Sequence, residues 1–195
     1  MMKTQTPLVL ASSSPRRREL LQTLGIPFTV QTSDVDETTA PGLSPKEIVE
    51  ELAVRKAQAV ASTLADGVVL GSDTIVVLED SILGKPVDDA DAFRTLSMLQ
   101  GREHTVYSGV ALIDASNGRV EVSHSLTKVR IRPLTQSEIE SYIATREPMD
   151  KAGSYAIQGL GATIVEGITG DYFTVVGLPL RLLASMLSRF GITVL

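Results

Sequence analysis

The 195-residue chain has no cysteine, no tryptophan and only two histidines, and aromatic residues make up 4% of it. Each shortage removes a class of function. Without cysteine there is no disulfide and no thiolate metal site, which fits a reducing compartment and points to the cytoplasm. His104 and His124 alone do not make a histidine-rich metal centre. So few aromatics argue against a stacking platform for single-stranded nucleic acid. A formal net charge of −5 gives no general pull toward nucleic acid either. No apolar run is long enough to span a membrane. The first such run is interrupted by Pro7 and shows no cleavage-site pattern, so neither a membrane partner nor a leader is expected. The pattern Gly-x-x-x-x-Gly-Lys-Ser/Thr does not occur, which argues against a Walker-type ATPase and toward a different phosphate chemistry. Repeats, low-complexity tracts and linkers are also missing, so residues 1–195 are expected to form a single domain.

What remains is 43% hydrophobic, enough for a substantial core. Short apolar runs alternate with helical segments, the pattern of an α/β protein. A buried strand is expected at 8–11. A helix should follow over 15–24, with Leu20, Leu21 and Leu24 inward and Gly25 as its stop. A second strand at 28–32 leads to the acidic loop Asp34-Val35-Asp36-Glu37. Ser44-Pro45-Lys46-Glu47 is a capping box with proline in the first turn. Behind it Ile48, Val49, Leu52, Ala53, Ala57, Val60, Ala61 and Leu64 recur at helical spacing. Lys56 falls inside that apolar arc, so it must snorkel to an edge or reach a buried anion. Strands are expected at 68–78, 106–114 and 119–132, the last two joined by Asn117-Gly118. Val120, Val122, His124 and Leu126 share one face. Val129 and Ile131 are out of phase with them, which predicts a bulge near Thr127-Lys128. Helices are expected over 89–99 and 135–145, strands at 162–166 and 173–176, a helix after Gly177-Leu178-Pro179, and a closing strand at 192–195.

The densest chemical signal is Ser12-Ser13-Ser14-Pro15-Arg16-Arg17-Arg18, directly after the first strand. Ser14 suits the N-cap and Pro15 the first helical position. The first helical turn is electropositive and normally prefers acids. Arginines stand there instead. Backbone N–H groups, hydroxyls and guanidinium groups thus converge where an anion, most simply a phosphate, would sit. The same residues also read as ordinary helix punctuation followed by solvated charges.

Asp73 lies inside the apolar strand pattern 68–78, where aspartate is depleted. It is either a turn, edge or salt-bridge residue, or a metal ligand or general base. Lys85, between Gly84 and Pro86, is a solvated charge or a phosphate contact. Glu37 is a loop carboxylate. Gln158, between Ile157 and Gly159, is a loop amide or a base-reading donor–acceptor pair. His124 reads as a sheet residue. Taken together, two carboxylates can hold Mg²⁺ or Mn²⁺. Arg16, Lys56 and Lys85 can neutralise a polyphosphate, and one carboxylate can activate a water.

In order along the chain, Leu10-Ala11-Ser12-Ser13-Ser14-Pro15-Arg16-Arg17, Glu37, Lys56-Ala57, Gly71-Ser72-Asp73-Thr74, Gly84-Lys85-Pro86, Asp150-Lys151-Ala152-Gly153-Ser154-Tyr155 and Gly177-Leu178-Pro179 resemble the Maf family over nearly the whole length. These are the septum-formation-inhibitor-like nucleoside triphosphate pyrophosphatases. The resemblance implies an elongated mixed α/β sheet with flanking helices and two lobes around a cleft, similar to the inosine-triphosphate-pyrophosphatase-like folds. It implies a cytoplasmic, metal-dependent enzyme, commonly a homodimer, that cleaves a nucleoside triphosphate to monophosphate and pyrophosphate. On that basis Asp73 is the proton acceptor and, with Glu37, the metal site. Arg16, Lys56 and Lys85 are phosphate-side residues, and Ser12 shares their loop.

The dTTP/UTP branch of the family is similar to this chain at Arg16-Arg17, at Thr74 and at Gln158. The branch acting on 7-methyl-GTP tends to lack the first arginine, to place Gln after the aspartate and to carry Glu at the Gln158 position. The resemblance therefore implies dTTP and UTP as substrates. An amide at Gln158 can pair with a pyrimidine imide edge through one donor and one acceptor. A 7-methyl-GTP pyrophosphatase, or a nucleotide-binding regulator of septum formation with a cell-division partner, are the alternatives.

Overall fold

A computed structural model describes residues 6–32 and 34–195; the expectation about a leader falls in part on residues outside these. Among these residues seven strands form one mixed sheet. They are β1 (Leu8–Leu10), β2 (Phe28–Val30), β3 (Val68–Leu78), β4 (Ser81–Leu83), β5 (Glu103–Asp114), β6 (Val120–Ile131) and β7 (Val165–Thr169). Their order is β2-β1-β3-β5-β6-β7, with β4 paired to β3. β1 runs parallel to both β2 and β3, whereas β4 on β3 and β7 on β6 are antiparallel. The helices are α1 (Pro15–Thr23), α2 (Pro45–Ala61), α3 (Asp89–Leu99), α4 (Gln136–Ala144), α5 (Tyr172–Val176) and α6 (Leu180–Ser188). Among the described residues no helix is long and apolar enough to cross a membrane.

The chain divides into two compact units. The first holds the residues up to Asp73, then Ser108–Ser125 and Gly177–Leu195; the second holds Thr74–Tyr107 and Leu126–Val176. In the first unit α2 is seated on the sheet through Ala53, Ala57, Val60 and Ala61, against Val9, Val69, Ala111 and Ile113. Two glycines let it come close. A Cβ on Gly71 would lie 2.2 Å from the Ala53 carbonyl oxygen, and one on Gly109 would lie 2.1 Å from that of Val49. In the second unit Leu96 and Leu99 of α3 pack with Ile139, Tyr142 and Ile143 of α4 over Val129 and Ile131.

The helix starts follow the capping chemistry read from the sequence. Ser14 Oγ accepts from the Arg17 N–H at 3.4 Å, and Glu47 accepts from the Ser44 N–H at 2.8 Å. Thr135 and Glu138 exchange the reciprocal pair at 2.8 and 3.3 Å.

Four expectations are corrected. β6 runs unbroken through Thr127-Lys128. Val120, Val122 and Leu126 stay on its exposed side, while Thr127, Val129 and Ile131 are buried in the opposite phase, so no bulge is needed there. The irregularity falls instead between Arg130 and Ile131, where β6 pairs with β7. The strand expected at 162–166 begins only at Val165, after a 3₁₀ turn over Gly159–Thr163. Residues 173–176 form a helical turn, although Val175-Val176 favours a strand. Asp171 overrides that preference by accepting the Phe173 N–H on its carboxylate (3.0 Å) and the Thr174 N–H on its carbonyl (3.1 Å). No strand forms at 192–195. After Gly191, at φ +75°, the Ile192 N–H turns back to the Leu187 carbonyl and closes α6.

Candidate active site

Asp73 sits inside β3, between the residues paired to β1 (Val68–Leu70) and those paired to β4 (Val76–Leu78), so it does not occupy a turn. Its residue surface is 7% exposed, and a carboxylate this enclosed must be paired. Lys56 pairs with it, Nζ to Oδ1 at 2.6 Å. The same ammonium lies 2.7 Å from Glu37 Oε1. The lysine found inside an apolar helix arc therefore reaches a buried anion, and it draws in a second carboxylate from the acidic loop. That loop is held from the next residue of α2. Arg55 donates to the Thr38 carbonyl at 2.8 Å and also to the Asp36 carbonyl.

The serine–arginine loop is also tied down. The Ser14 N–H donates to Ser12 Oγ at 3.2 Å, and Ser12 itself is buried. Arg17 turns inward. Its Nε donates to the Gly177 carbonyl at 2.9 Å and one terminal nitrogen reaches Ser12 Oγ at 3.5 Å. Burial pulls its pKa below the usual guanidinium range, the negative charges of Asp73 and Glu37 oppose that, and neighbouring Arg16 adds to it. Ser72 Oγ donates to the same Gly177 carbonyl at 3.1 Å.

Ser12, Arg17, Glu37, Lys56 and Asp73 are thus brought together within the first unit, with Arg16 close enough to act on Arg17 by charge. Thr74, Lys85 and Gln158 belong to the second unit. Thr74 directly follows Asp73 and is half-buried. Lys85 is exposed, just after β4, and the carbonyl of the preceding Gly84 accepts from the Gly153 N–H at 3.0 Å. Gln158 is half-buried at the start of the 3₁₀ turn Gly159–Thr163. His124 lies on β6, Nδ1 to Glu50 Oε1 at 2.7 Å, the sheet residue expected.

Sequence reasoning missed the Gly177 carbonyl, Arg55, Tyr142 and Glu147. A carbonyl acceptor leaves no trace in residue type, and the only hint at Gly177 was the Gly-Leu-Pro motif. Glu147 accepts three hydrogen bonds from positions 5 to 14 residues distant, a relation no local pattern encodes.

Among the described residues no group of three or more acidic or histidine side chains gathers to hold a metal. The donor set nevertheless suits a hard divalent ion. Two carboxylates already converge on one cationic atom, and Mg²⁺ is commonly held by one or two carboxylates with waters and substrate phosphates completing its shell.

A buried and an exposed carboxylate bridged by one lysine, beside an arginine-bearing loop, thus stand together on an α/β sheet. A family model described as Maf-like protein matches residues 7–190, and the chain belongs to the Maf family. It is 56% identical over 187 residues to a dTTP/UTP pyrophosphatase of Moorella thermoacetica, covering 96% of each chain. It is 53% identical to a protein of the same name from Pelotomaculum thermopropionicum, covering 96% of this chain and 98% of that one. Among solved structures it is similar to a HAM1 protein from Coxiella burnetii, 18% identical, with a TM-score of 0.49 over 65% of this chain and 73% of that one.

Proposed function

We propose that the chain hydrolyses dTTP and UTP to the nucleoside monophosphate and pyrophosphate, assisted by Mg²⁺ or Mn²⁺. That it is an enzyme of the nucleoside triphosphate pyrophosphatase class follows from its relatives. The pyrimidine preference and the metal are the finer steps. The observation that carries the reaction is the Lys56 ammonium shared by Asp73 and Glu37.

Lys56 offsets the cost of burying the Asp73 carboxylate and holds it in place, and that carboxylate serves as the proton acceptor. A water adds to phosphorus, the bridging P–O bond breaks, and the water's proton passes to Asp73. A divalent ion held by Glu37 and Asp73 would neutralise polyphosphate charge and make the attacking water more acidic. The Arg17 guanidinium is committed to Gly177 and Ser12, so it braces the loop, and we assign the phosphate contact of the pair to Arg16. Lys85 serves phosphate charge as well. Ser12 and Thr74 complete the substrate side, and Gln158 reads the imide edge.

The test is a panel of dTTP, UTP, dCTP and 7-methyl-GTP, with pyrophosphate and monophosphate identified as products, with and without added Mg²⁺ or Mn²⁺. dTTP and UTP should turn over fastest, and chelation should abolish the reaction. Asp73→Asn should lower kcat by roughly 10²- to 10⁴-fold, the range for a lost general base. Wild-type turnover in that variant removes Asp73 from the role, and a preference for 7-methyl-GTP overturns the reading of Gln158.

A further inference from the structure

The segment that carries Gln158 is bracketed by two side chains of the second unit. Glu147 Oε1 accepts from Tyr142 Oη at 2.8 Å and from the Gly161 N–H at 2.8 Å, and its Oε2 accepts from the Leu160 N–H at 3.0 Å. Tyr142 Oη in turn accepts from the Ala156 N–H at 3.1 Å. The peptide groups at 156, 160 and 161 are therefore fastened on both sides of Gln158. The fit is close enough to restrict residue choice. A Cβ on Gly159, which has φ +65°, would lie 2.5 Å from Glu147 Oε2, and one on Gly161 would lie 2.5 Å from Tyr142 Oη.

The bracket is anchored at its own base. Tyr142 is 6% exposed in the core shared by α3 and α4, and Lys151 Nζ donates to the Glu147 carbonyl at 2.8 Å. Burial disfavours the Glu147 carboxylate, but the Gly161 N–H, Tyr142 hydroxyl and Leu160 N–H outweigh it and hold the pKa below the usual range. An ionised acceptor makes each of these hydrogen bonds charge-assisted, and so stiffer than a neutral one.

We infer that Glu147, acting with Tyr142, is a positioning residue for nucleotide selection: it fixes the 156–161 segment so that Gln158 meets the pyrimidine edge in one geometry. This rests on Gln158 being the base-reading residue. Neither Glu147 nor Tyr142 touches the substrate. Their effect passes through the backbone on either side of Gln158. Loosening the bracket costs base discrimination before it costs chemistry, because Asp73 and Lys56 belong to the other unit.

The experiment compares kcat and KM for dTTP and dCTP in the full-length wild type, Tyr142→Phe, Glu147→Gln, Glu147→Ala and Gln158→Ala, with a melting curve for each. Tyr142→Phe keeps the buried ring and removes only the hydroxyl. With the two hydrogen bonds of that hydroxyl gone, the dTTP:dCTP ratio of kcat/KM should fall by roughly three- to tenfold, through KM with kcat retained. Glu147→Gln keeps Oε1 but sets an amide donor against the Leu160 N–H, and should fall between wild type and Glu147→Ala. If Glu147→Ala does not fold, the other two variants decide. A ratio unchanged in both, while Gln158→Ala alters it, overturns the bracket and leaves the reading of Gln158 standing. A ratio unchanged in Gln158→Ala as well overturns both. Equal losses on the two nucleotides with a lowered melting temperature make the bracket purely structural and also overturn the inference.

Discussion

Lys56 satisfies two constraints with one atom. It stands in sequence among the buried positions of α2, next to Ala57, and its ammonium lies 2.6 Å from Asp73 and 2.7 Å from Glu37. A buried charge left alone is costly, whereas a buried pair roughly balances its desolvation. Removing either partner should therefore hurt more than removing both. Lys56→Met takes the ammonium from buried Asp73 and exposed Glu37, Asp73→Asn leaves that ammonium to Glu37 alone, and the double variant removes the buried pair as a unit. In denaturant unfolding, each single change is expected to cost a few kcal/mol, and the pair should show a coupling of about 1–3 kcal/mol. Additive losses would mean that the two groups do not depend on each other in solution. The pair was half legible in the sequence. A lysine inside an apolar arc and an aspartate inside an apolar strand each demanded a partner, but neither identified the other. The partnership depends on how α2 is laid across β3, which residue types alone do not state.

That crossing is set by glycine. At Gly71 and Gly109 the main chain of α2 comes so near the sheet that a methyl group would sit 2.2 and 2.1 Å from carbonyl oxygens of the helix. Gly71 is two residues before Asp73, and Ala53 is three before Lys56, so the contact also sets the reach of the ammonium. Gly71→Ala should push α2 outward, destabilise the protein by about 1–3 kcal/mol or more, and lower activity beyond the loss of stability. Chemical denaturation with kinetics on the folded fraction tests this, and full activity in the folded variant would separate helix seating from the site. Elements governed by local chemistry were readable: the capping boxes at Ser44 and Thr135, the strand 68–78 and the turn at Asn117-Gly118 all lie where the pattern puts them. Residues 173–176 were not, because strand propensity there yields to Asp171, whose carbonyl is itself fixed by Thr127 Oγ1 at 2.9 Å from β6. Gln158 was recognisable as a motif, yet the Glu147 and Tyr142 contacts that hold its segment exist only after folding.

For the molecule as a whole, the consequential variable is pH. Several carboxylates, among them Glu147 and Glu138, have folded pKa values below their ordinary ones, Glu138 at about 2 through the Thr135 N–H and Arg132. Their contribution to stability is present above the unfolded value near 4.5 and is lost as pH falls below it. His104 acts in a different window. It is buried in the second unit, its Nε2 lies 2.7 Å from Tyr155 Oη, and its Nδ1 has no hydrogen-bond partner among the described residues. Burial lowers its pKa from 6.5 to about 4, against the opposing charge of Glu103. The unfolded chain therefore takes up this proton first as pH falls. Stability is complete above 6.5, declines between 6.5 and 4, and loses nothing more from this group below 4. Between pH 7 and pH 5 the loss should approach roughly 2 kcal/mol. His104→Gln carries no titrating ring and should be less stable at pH 7, but its stability should change much less between pH 7 and 5. Denaturant titrations of both proteins at the two pH values measure this directly. Equal pH dependence in wild type and variant would assign the acid sensitivity to other groups. The window opens above the sequence pI of about 5.1, so destabilisation from His104 would begin while the protein still carries net negative charge and repels its copies. A fall in melting temperature from pH 6.5 downward should therefore precede any loss of solubility near pH 5. That order distinguishes a protonation inside the fold from a change of surface charge.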